Sequence, residues 1–215
     1  MLFDPIRIKV CGITRTEDAR IAVAAGAHAI GLVFYAPSAR FINPEQASAL
    51  AKTIPPFVSV VGLFVNHDSH YIKATHNRVR FSLLQFHGNE SPAFCRELSE
   101  ALSIPFIKAI RVKSTQDIQK AYADYKDAQG LLLDTYAAHQ AGGTGTAFDW
   151  SLIPQHRALP IILAGGLNSE NLAQAITQVR PYALDVSSGV EQSPGIKSAK
   201  KIKAFVAQIH AHCRR

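Results

Sequence analysis

Charge is scarce in this chain: Asp, Glu, Lys and Arg make up 18% of its 215 residues, below the quarter typical of globular domains. Cysteine is scarcer, and Cys11, Cys95 and Cys213 are too few and too widely spaced for a disulfide framework. No apolar run approaches the roughly 18 residues that suggest a membrane span. The opening Met-Leu-Phe-Asp-Pro lacks the basic start and long apolar stretch of a secretory signal. Low-complexity tracts and linkers are missing too. These absences exclude a coiled coil, a disordered chain and a disulfide-stapled scaffold. They set the expectation of a protein of the reducing cytoplasm, without a membrane partner.

Apolar residues, by contrast, are present at 47%, enough for a full core at this size without a disulfide or metal staple. Residues 1–215 are expected to form one domain. The net charge of +7, from 23 Lys and Arg against 16 Asp and Glu, suits either nucleic acid or an anionic small molecule. Part of the excess lies at Lys197, Lys200, Lys201, Lys203, Arg214 and Arg215. The four lysines are read as the solvated face of a terminal amphipathic helix built around Ile196, Ile202, Phe205 and Val206. With no aromatic-interleaved basic stretch elsewhere, the small anion is preferred and nucleic acid is not expected as a partner.

Short apolar runs recur at 6–11, 29–34, 59–64, 81–86, 106–111, 130–134, 160–164 and 182–187, their starts 22 to 30 residues apart. Most are nearly continuous rather than alternating, the pattern of strands covered on both faces. Amphipathic stretches of helical length separate them. One over 16–25 carries a capping-box start, Thr14 or Thr16 before Glu17 and Asp18. Another over 93–102 follows Ser91-Pro92, an N-cap with proline at the first helical position. A third over 168–179 begins Asn-Ser-Glu and stops at Arg180-Pro181. After 130–134 the helical part shrinks to about 149–153. Eight strand–helix units predict a parallel α/β architecture, a compact (β/α)8 TIM barrel. The rival doubly wound sheet would carry a Gly-rich loop after its first strand, and Cys11-Gly12-Ile13-Thr14 is not one.

In such a barrel, function sits at the C-terminal ends of the strands. Gly165 and Gly166 after the seventh strand, and Ser188 and Gly189 after the eighth, offer backbone N–H groups where many barrels hold phosphate. The glycines would otherwise serve turns; both loops together favour the phosphate. Cys11 ends the first strand, either as a small buried hydrophobe or as a thiolate; Lys9 shares its strand face. Asp134, the one charge closing Leu131-Leu132-Leu133, is either structural or an acid–base group. Facing each other across the mouth, the two suit proton transfer without a metal. Arg40 is a solvated loop charge or a fork for a carboxylate. His87 is a ligand, a base or a structural histidine. His67 with His70, and His210 with His212, lack converging partners at zinc spacing, so no metal site is expected.

Lys9-Val-Cys-Gly-Ile-Thr14, Leu32-Val-Phe-Tyr35 with Ser38-Ala-Arg40, and Val61-Gly-Leu-Phe-Val-Asn66 together resemble the phosphoribosylanthranilate isomerase family of tryptophan biosynthesis. Leu84-Gln-Phe-His-Gly88, Leu133-Asp-Thr135, Gly142-Gly-Thr-Gly145 with Phe148-Asp-Trp150, Leu163-Ala-Gly-Gly-Leu-Asn168 and Asp185-Val-Ser-Ser-Gly-Val-Glu191 extend the resemblance over nearly the whole chain. It implies a (β/α)8 fold and an Amadori rearrangement of an aminoaldose phosphate, with no cofactor. By motif, Asp134 matches the general acid, Cys11 the general base, and Arg40 the arginine for the anthranilate carboxylate. Gly165, Gly166, Ser188 and Gly189 match the phosphate site, and His87 and Asp185 are candidates for further substrate contacts. The resemblance leaves a monomer and a homodimer open. Two departures stand out: the second loop reads Tyr-Ala-Pro-Ser-Ala-Arg, and Thr146 replaces the long polar side chain common after the last glycine of the sixth loop. A pentose-phosphate epimerase would need metal ligands that are not found, and the next enzyme of the pathway leans on strand-end Lys and Glu residues read as absent here. A non-catalytic phosphate- or nucleic-acid-binding barrel would have no use for Cys11 with Asp134.

Overall fold

The computed structural model describes residues 6–135 and 148–213. The glycines of the sixth loop, Thr146, Arg214 and Arg215 lie outside the described residues. Eight parallel strands close into a barrel, in order β1 (Arg7–Cys11), β2 (Ala29–Val33), β3 (Ser59–Phe64), β4 (Leu83–Phe86), β5 (Phe106–Val112), β6 (Leu131–Thr135), β7 (Ile161–Leu163) and β8 (Ala183–Val186). Closure is direct: β8 pairs with β1, Lys9 lying opposite Asp185. All eight sequence-predicted strands are present, because apolar runs of this length can bury both faces only inside a wall of helices.

Helices α1 (Thr16–Ala25), α2 (Pro44–Ala51), α3 (Ser69–Val79), α4 (Pro92–Leu102), α5 (Thr115–Asp124), α6 (Leu172–Val179) and α7 (Ala199–Cys213) follow the strands around the outside. Local chemistry sets their ends. Ser91 caps α4 by accepting from Phe94 N, with Pro92 in the first turn, as expected. The capping box at α1 is not formed. Its N-cap is Arg15, whose backbone is extended and whose side chain caps nothing; Arg15 instead grips the buried carboxylate of Asp18. The segment expected to start at 168 begins its helix four residues later. Asn168 Oδ1 accepts from Glu170 N and Asn171 N, making a turn first. Around 149–153 the chain forms one 3₁₀ turn, Trp150–Leu152.

One expectation fails outright. Ile196 and Lys197 are not helical; they form β10 (Ile196–Lys197), antiparallel to β9 (Glu191–Ser193). Lys197 is buried, 3% exposed, and its ammonium meets Glu191 Oε1 at 2.8 Å. Helical spacing misled here because a two-residue strand leaves no periodic trace.

Among the described residues the core falls into three hydrophobic clusters, the smallest being Cys11, Val33 and Leu63 at the mouth. Ile8, Val10, Leu84, Phe86, Leu133 and Leu184 belong to the cluster between strands and helices, while Ile107, Ala109, Leu132, Ile162, Ala164 and Ala183 form a second one. Alternation of side chains along each strand separates them. The outer compartment also holds a buried ion pair. Lys108 Nζ donates to Glu90 Oε2 at 3.1 Å, with both side chains 2% exposed, and to the carbonyls of Gly88 and Phe86. Glu90 also accepts from Asn66 N and Gly88 N, pinning the loops after β3 and β4. We predict that Lys108→Met, which strands the Glu90 charge, lowers unfolding stability in urea by about 3–5 kcal/mol. The double variant Lys108→Met/Glu90→Gln should recover part of that loss; equal stability of single variant and wild type would refute the account.

Candidate active site

At the C-terminal mouth of the barrel lies an open cavity of about 790 Å³, lined among others by Cys11, Arg40, His87, Asp134, Gly165 and Gly166. Asp185 and Ser188 line it too, together with Tyr35, Gln85, Arg111 and Ser187. The structure thus brings together every sequence-predicted site residue except Gly189. That residue packs instead against the seventh loop: an added Cβ would lie 1.9 Å from the Leu167 carbonyl oxygen.

Cys11 stands on one wall. Its strand partner is Gly31, and a Cβ on Gly31 would lie 2.7 Å from Cys11 Sγ and 3.1 Å from Lys9 Nζ. The missing side chain is therefore the space in which thiol and ammonium meet. Lys9 pairs with Asp185 at 3.0 Å, both nearly inaccessible. Burial pushes the Cys11 thiol above its ordinary value; Lys9 and, more weakly, Lys197 pull it down, and Asp185 pushes it up. Burial wins, so the resting group is a thiol.

Asp134 stands opposite. Its Oδ1 accepts from Thr135 N at 2.8 Å and its Oδ2 lies 3.2 Å from His87 Nε2. Burial tends to raise this carboxyl, yet hydrogen bonding and charge from His87, the Thr135 amide and the charge of Arg111 together hold it below its usual range. At rest it is a carboxylate. Gly165, at φ 77, has backbone that packs against it: a Cβ there would meet Thr135 N at 2.5 Å and Asp134 Oδ1 at 2.8 Å. Gly166, at φ 67, has its carbonyl fixed by Asn171 Nδ2 at 2.9 Å. Past β8, Ser188 opens a short 3₁₀ turn, Ser188–Val190.

Arg40 sits in the loop after β2, but its fork is not empty. Nε and Nη2 donate to Glu191 Oε1 and Oε2 at 2.8 and 2.7 Å. Lys197 Nζ donates to the same carboxylate and to Ser187 O and Oγ, and Ser187 Oγ donates to the Cys11 carbonyl at 3.0 Å. Sequence reasoning passed over Glu191, Lys197, Ser187 and Gln85. Only Gln85 left a legible sign, two residues before His87 and so on the same strand face. Lysines and a glutamate do stand around the mouth, but Lys9, Lys197 and Glu191 are engaged in ion pairs. Among the described residues no three His, Cys, Asp or Glu side chains are grouped to hold a metal, and no helix is long and apolar enough to cross a membrane.

A closed (β/α)8 barrel whose cavity opens at the C-terminal ends of the strands has the layout of a barrel enzyme. Residues 8–208 match the family model described as N-(5'phosphoribosyl)anthranilate (PRA) isomerase. A Pseudomonas fluorescens N-(5'-phosphoribosyl)anthranilate isomerase is 55% identical over 204 residues, 95% of each chain. Phosphoribosyl anthranilate isomerase from Thermotoga maritima superposes with a TM-score of 0.88 at 42% identity, covering 96% of this chain and 99% of that one. A further structure, of phosphoribosyl anthranilate isomerase in complex with reduced 1-(o-carboxyphenylamino)-1-deoxyribulose 5-phosphate, gives a TM-score of 0.85 at 41% identity over the same shares. The chain belongs to the N-(5'-phosphoribosyl)anthranilate isomerase family and is an isomerase.

Two measurements follow from this geometry. Gly31→Ala should leave a folded protein, because the thiol can rotate away from the new methyl group. It should lower kcat about 100-fold, since a displacement near 1 Å suffices for that; wild-type kcat in a folded variant would show that the Gly31 gap is not needed. In a Cys213→Ser background, Cys11 should react with iodoacetamide at pH 7.5 more slowly than a free cysteine, with a rate still rising beyond pH 9. Cys95, fully buried and pushed up to about 12, should stay unmodified. Fast labelling of Cys11 at neutral pH would mean that Lys9 outweighs burial.

Proposed function

We propose that the chain, acting as one catalytic domain over residues 1–215, converts N-(5-phosphoribosyl)anthranilate to 1-(2-carboxyphenylamino)-1-deoxyribulose 5-phosphate by an Amadori rearrangement in tryptophan biosynthesis. The observation that carries this reading is the single cavity that collects Cys11, Asp134, Arg40 and the late-loop glycines. Asp134, as general acid, protonates the ribose ring oxygen, so that the C1–O bond breaks while the aniline nitrogen forms a Schiff base. Cys11, as general base on the opposite wall, takes the C2 proton and gives the enolamine, which tautomerises to the ketone. The reaction is redox-neutral overall and needs no cofactor.

The resting protonation is the reverse of the working one. Work requires thiolate and carboxylic acid, whereas the empty site holds thiol and carboxylate. Both forms hold one proton between the two groups, so a bell-shaped rate profile reports coupled groups, including what is hydrogen-bonded to Asp134, and not Cys11 or Asp134 alone. Charge favours the anionic substrate. Lys9, Arg40 and Lys197 surround Cys11 with only Asp185 and Glu191 as counter-ions, leaving one positive charge for the anthranilate carboxylate. Arg40 would meet that carboxylate with the donors Glu191 leaves over. Gly165, Gly166 and Ser188 offer amides for the phosphate, with Gly189 setting the turn behind them. His87 acts through Asp134, and Asp185 through Lys9. The small-molecule substrate is the partner in this reading, with no nucleic acid or membrane, and the chain works in the cytoplasm as a monomer or homodimer.

The test is turnover of freshly generated phosphoribosylanthranilate, followed as loss of its fluorescence. Cys11→Ala and Asp134→Asn should each lower kcat by about 10²–10⁴-fold with melting temperatures near wild type. A folded variant of either kind that keeps near-wild-type kcat would remove that residue from the chemistry.

A further inference from the structure

His87 is gripped from two sides. Gln85 and His87 alternate along β4 and its extension, so both point into the cavity. Gln85 Nε2 lies 2.8 Å from His87 Nδ1. With the amide nitrogen facing the ring, Gln85 donates, Nδ1 accepts and a neutral ring carries its proton on Nε2, beside Asp134 Oδ2. The same arrangement leaves Gln85 Oε1 buried without a partner among the described residues, on a side chain with no exposed surface. An orphan acceptor in such a place is costly. Half a turn of the amide brings Oε1 to Nδ1 and suits the ring when it is protonated on both nitrogens, at the cost of orphaning Nε2 instead.

We propose that Gln85 is a positioning residue that lets the His87–Asp134 pair load and release one proton, its amide meeting the neutral ring with Nε2 and the imidazolium with Oε1. The inference rests on the reading of Asp134 as the acid and supplies what that reading needs. A carboxylate held ionised has no proton to give, whereas the imidazolium–carboxylate pair has one. On ring opening the pair gives that proton to the ribose oxygen, which takes the electrons of the breaking C1–O bond. The pair returns to neutral imidazole and carboxylate, and the amide turns back. Water at the mouth of the pocket restores the proton.

Other charges around the pair are few. Arg111 on β5 stands opposite Asp134 in register and favours the carboxylate. Lys108 and Glu90 neutralise each other behind the sheet. Lys9, Asp185 and Arg40 belong to the Cys11 wall. Gln85 is therefore the direct partner of Nδ1 that distinguishes the two protonation states of the ring.

Nitrogen-15 NMR of histidine-labelled, ligand-free protein reads the ring directly, the His87 signals being assigned by difference from His87→Asn. In wild type, Nδ1 should pass from acceptor to protonated as pH falls, over the interval of one limb of the kcat profile. Gln85→Met keeps the volume and removes both partners. It should move the Nδ1 transition and that limb together to lower pH, and lower kcat about tenfold, the worth of one hydrogen bond to a charged group, with KM little changed. Gln85→Glu restores a permanent acceptor and should move both to higher pH. A purely structural role would lower stability and leave the limb in place. An Nδ1 that stays an acceptor throughout the active pH range, or an unmoved limb in Gln85→Met, overturns the inference. If Asp134→Asn abolishes turnover while the limb stays fixed in the Gln85 variants, the inference alone fails. If Asp134→Asn retains turnover, the reading of the acid fails and takes the inference with it.

Discussion

Lys9 and Asp185 meet at 3.0 Å inside the closed barrel, on the two strands whose pairing seals it. Charges in such a place lose most of their hydration, and only close mutual contact and hydrogen bonding offset that loss. Removing either partner strands the other, so the pair constrains both the seam and the mouth above it. Cys11 stands two residues along from Lys9, over the gap left by Gly31. The ion pair thus fixes the floor on which the thiol rests and the sign of the field it feels. Lys9 favours a thiolate, Asp185 opposes it, and the packing that buries all three decides the balance.

The rest of that wall continues the same logic outward. Arg40, Glu191, Lys197 and Ser187 form an unbroken chain of hydrogen bonds that ends on the Cys11 carbonyl. A guanidinium held by a bidentate carboxylate has lost most of its rotational freedom before any ligand arrives, which lowers the entropic cost of binding. Thr14 Oγ1 ties the β9–β10 turn back to the first loop through the Gly195 carbonyl. Lys197 N donates to the buried Asp18, carrying the connection into α1. The opposite wall is lighter, with Gln85, His87 and Asp134 in series. One wall is pinned by ion pairs and the other by a chain of neutral and singly charged groups.

Much of this was legible in the residues, for identifiable reasons. Apolar runs every 22 to 30 residues betray strands buried on both faces, and the rule that barrels work at their C-terminal ends turns those strands into a short list containing Cys11 and Asp134. Paired glycine loops late in the chain are similarly local signals. What stayed hidden depended on contacts between segments far apart in sequence. Glu191 and Arg40 are separated by 151 positions, and neither residue alone announces a fork already filled. Lys197 looked like one more solvated lysine because its strand is too short to show alternation. Asp18 looked like a helix-start charge, yet it is a buried acceptor for Arg15 and Lys197. Side-chain periodicity reports which face a residue takes, and it is silent on which distant partner waits there.

Closure of the barrel through β1 and β8 also sets an order of events in the making of the molecule. Lys9 and Asp185 are 176 residues apart, close to the largest separation the chain allows, and contacts of that kind are the slowest to form. A ribosome adding about 5–20 residues per second exposes β1 for on the order of ten seconds or more before β8 is even synthesised. Throughout that interval the first strand has one edge unpaired and its lysine lacks a counter-ion. That lysine itself makes the open edge a poor template for another chain, since a charge on a bare strand edge discourages pairing.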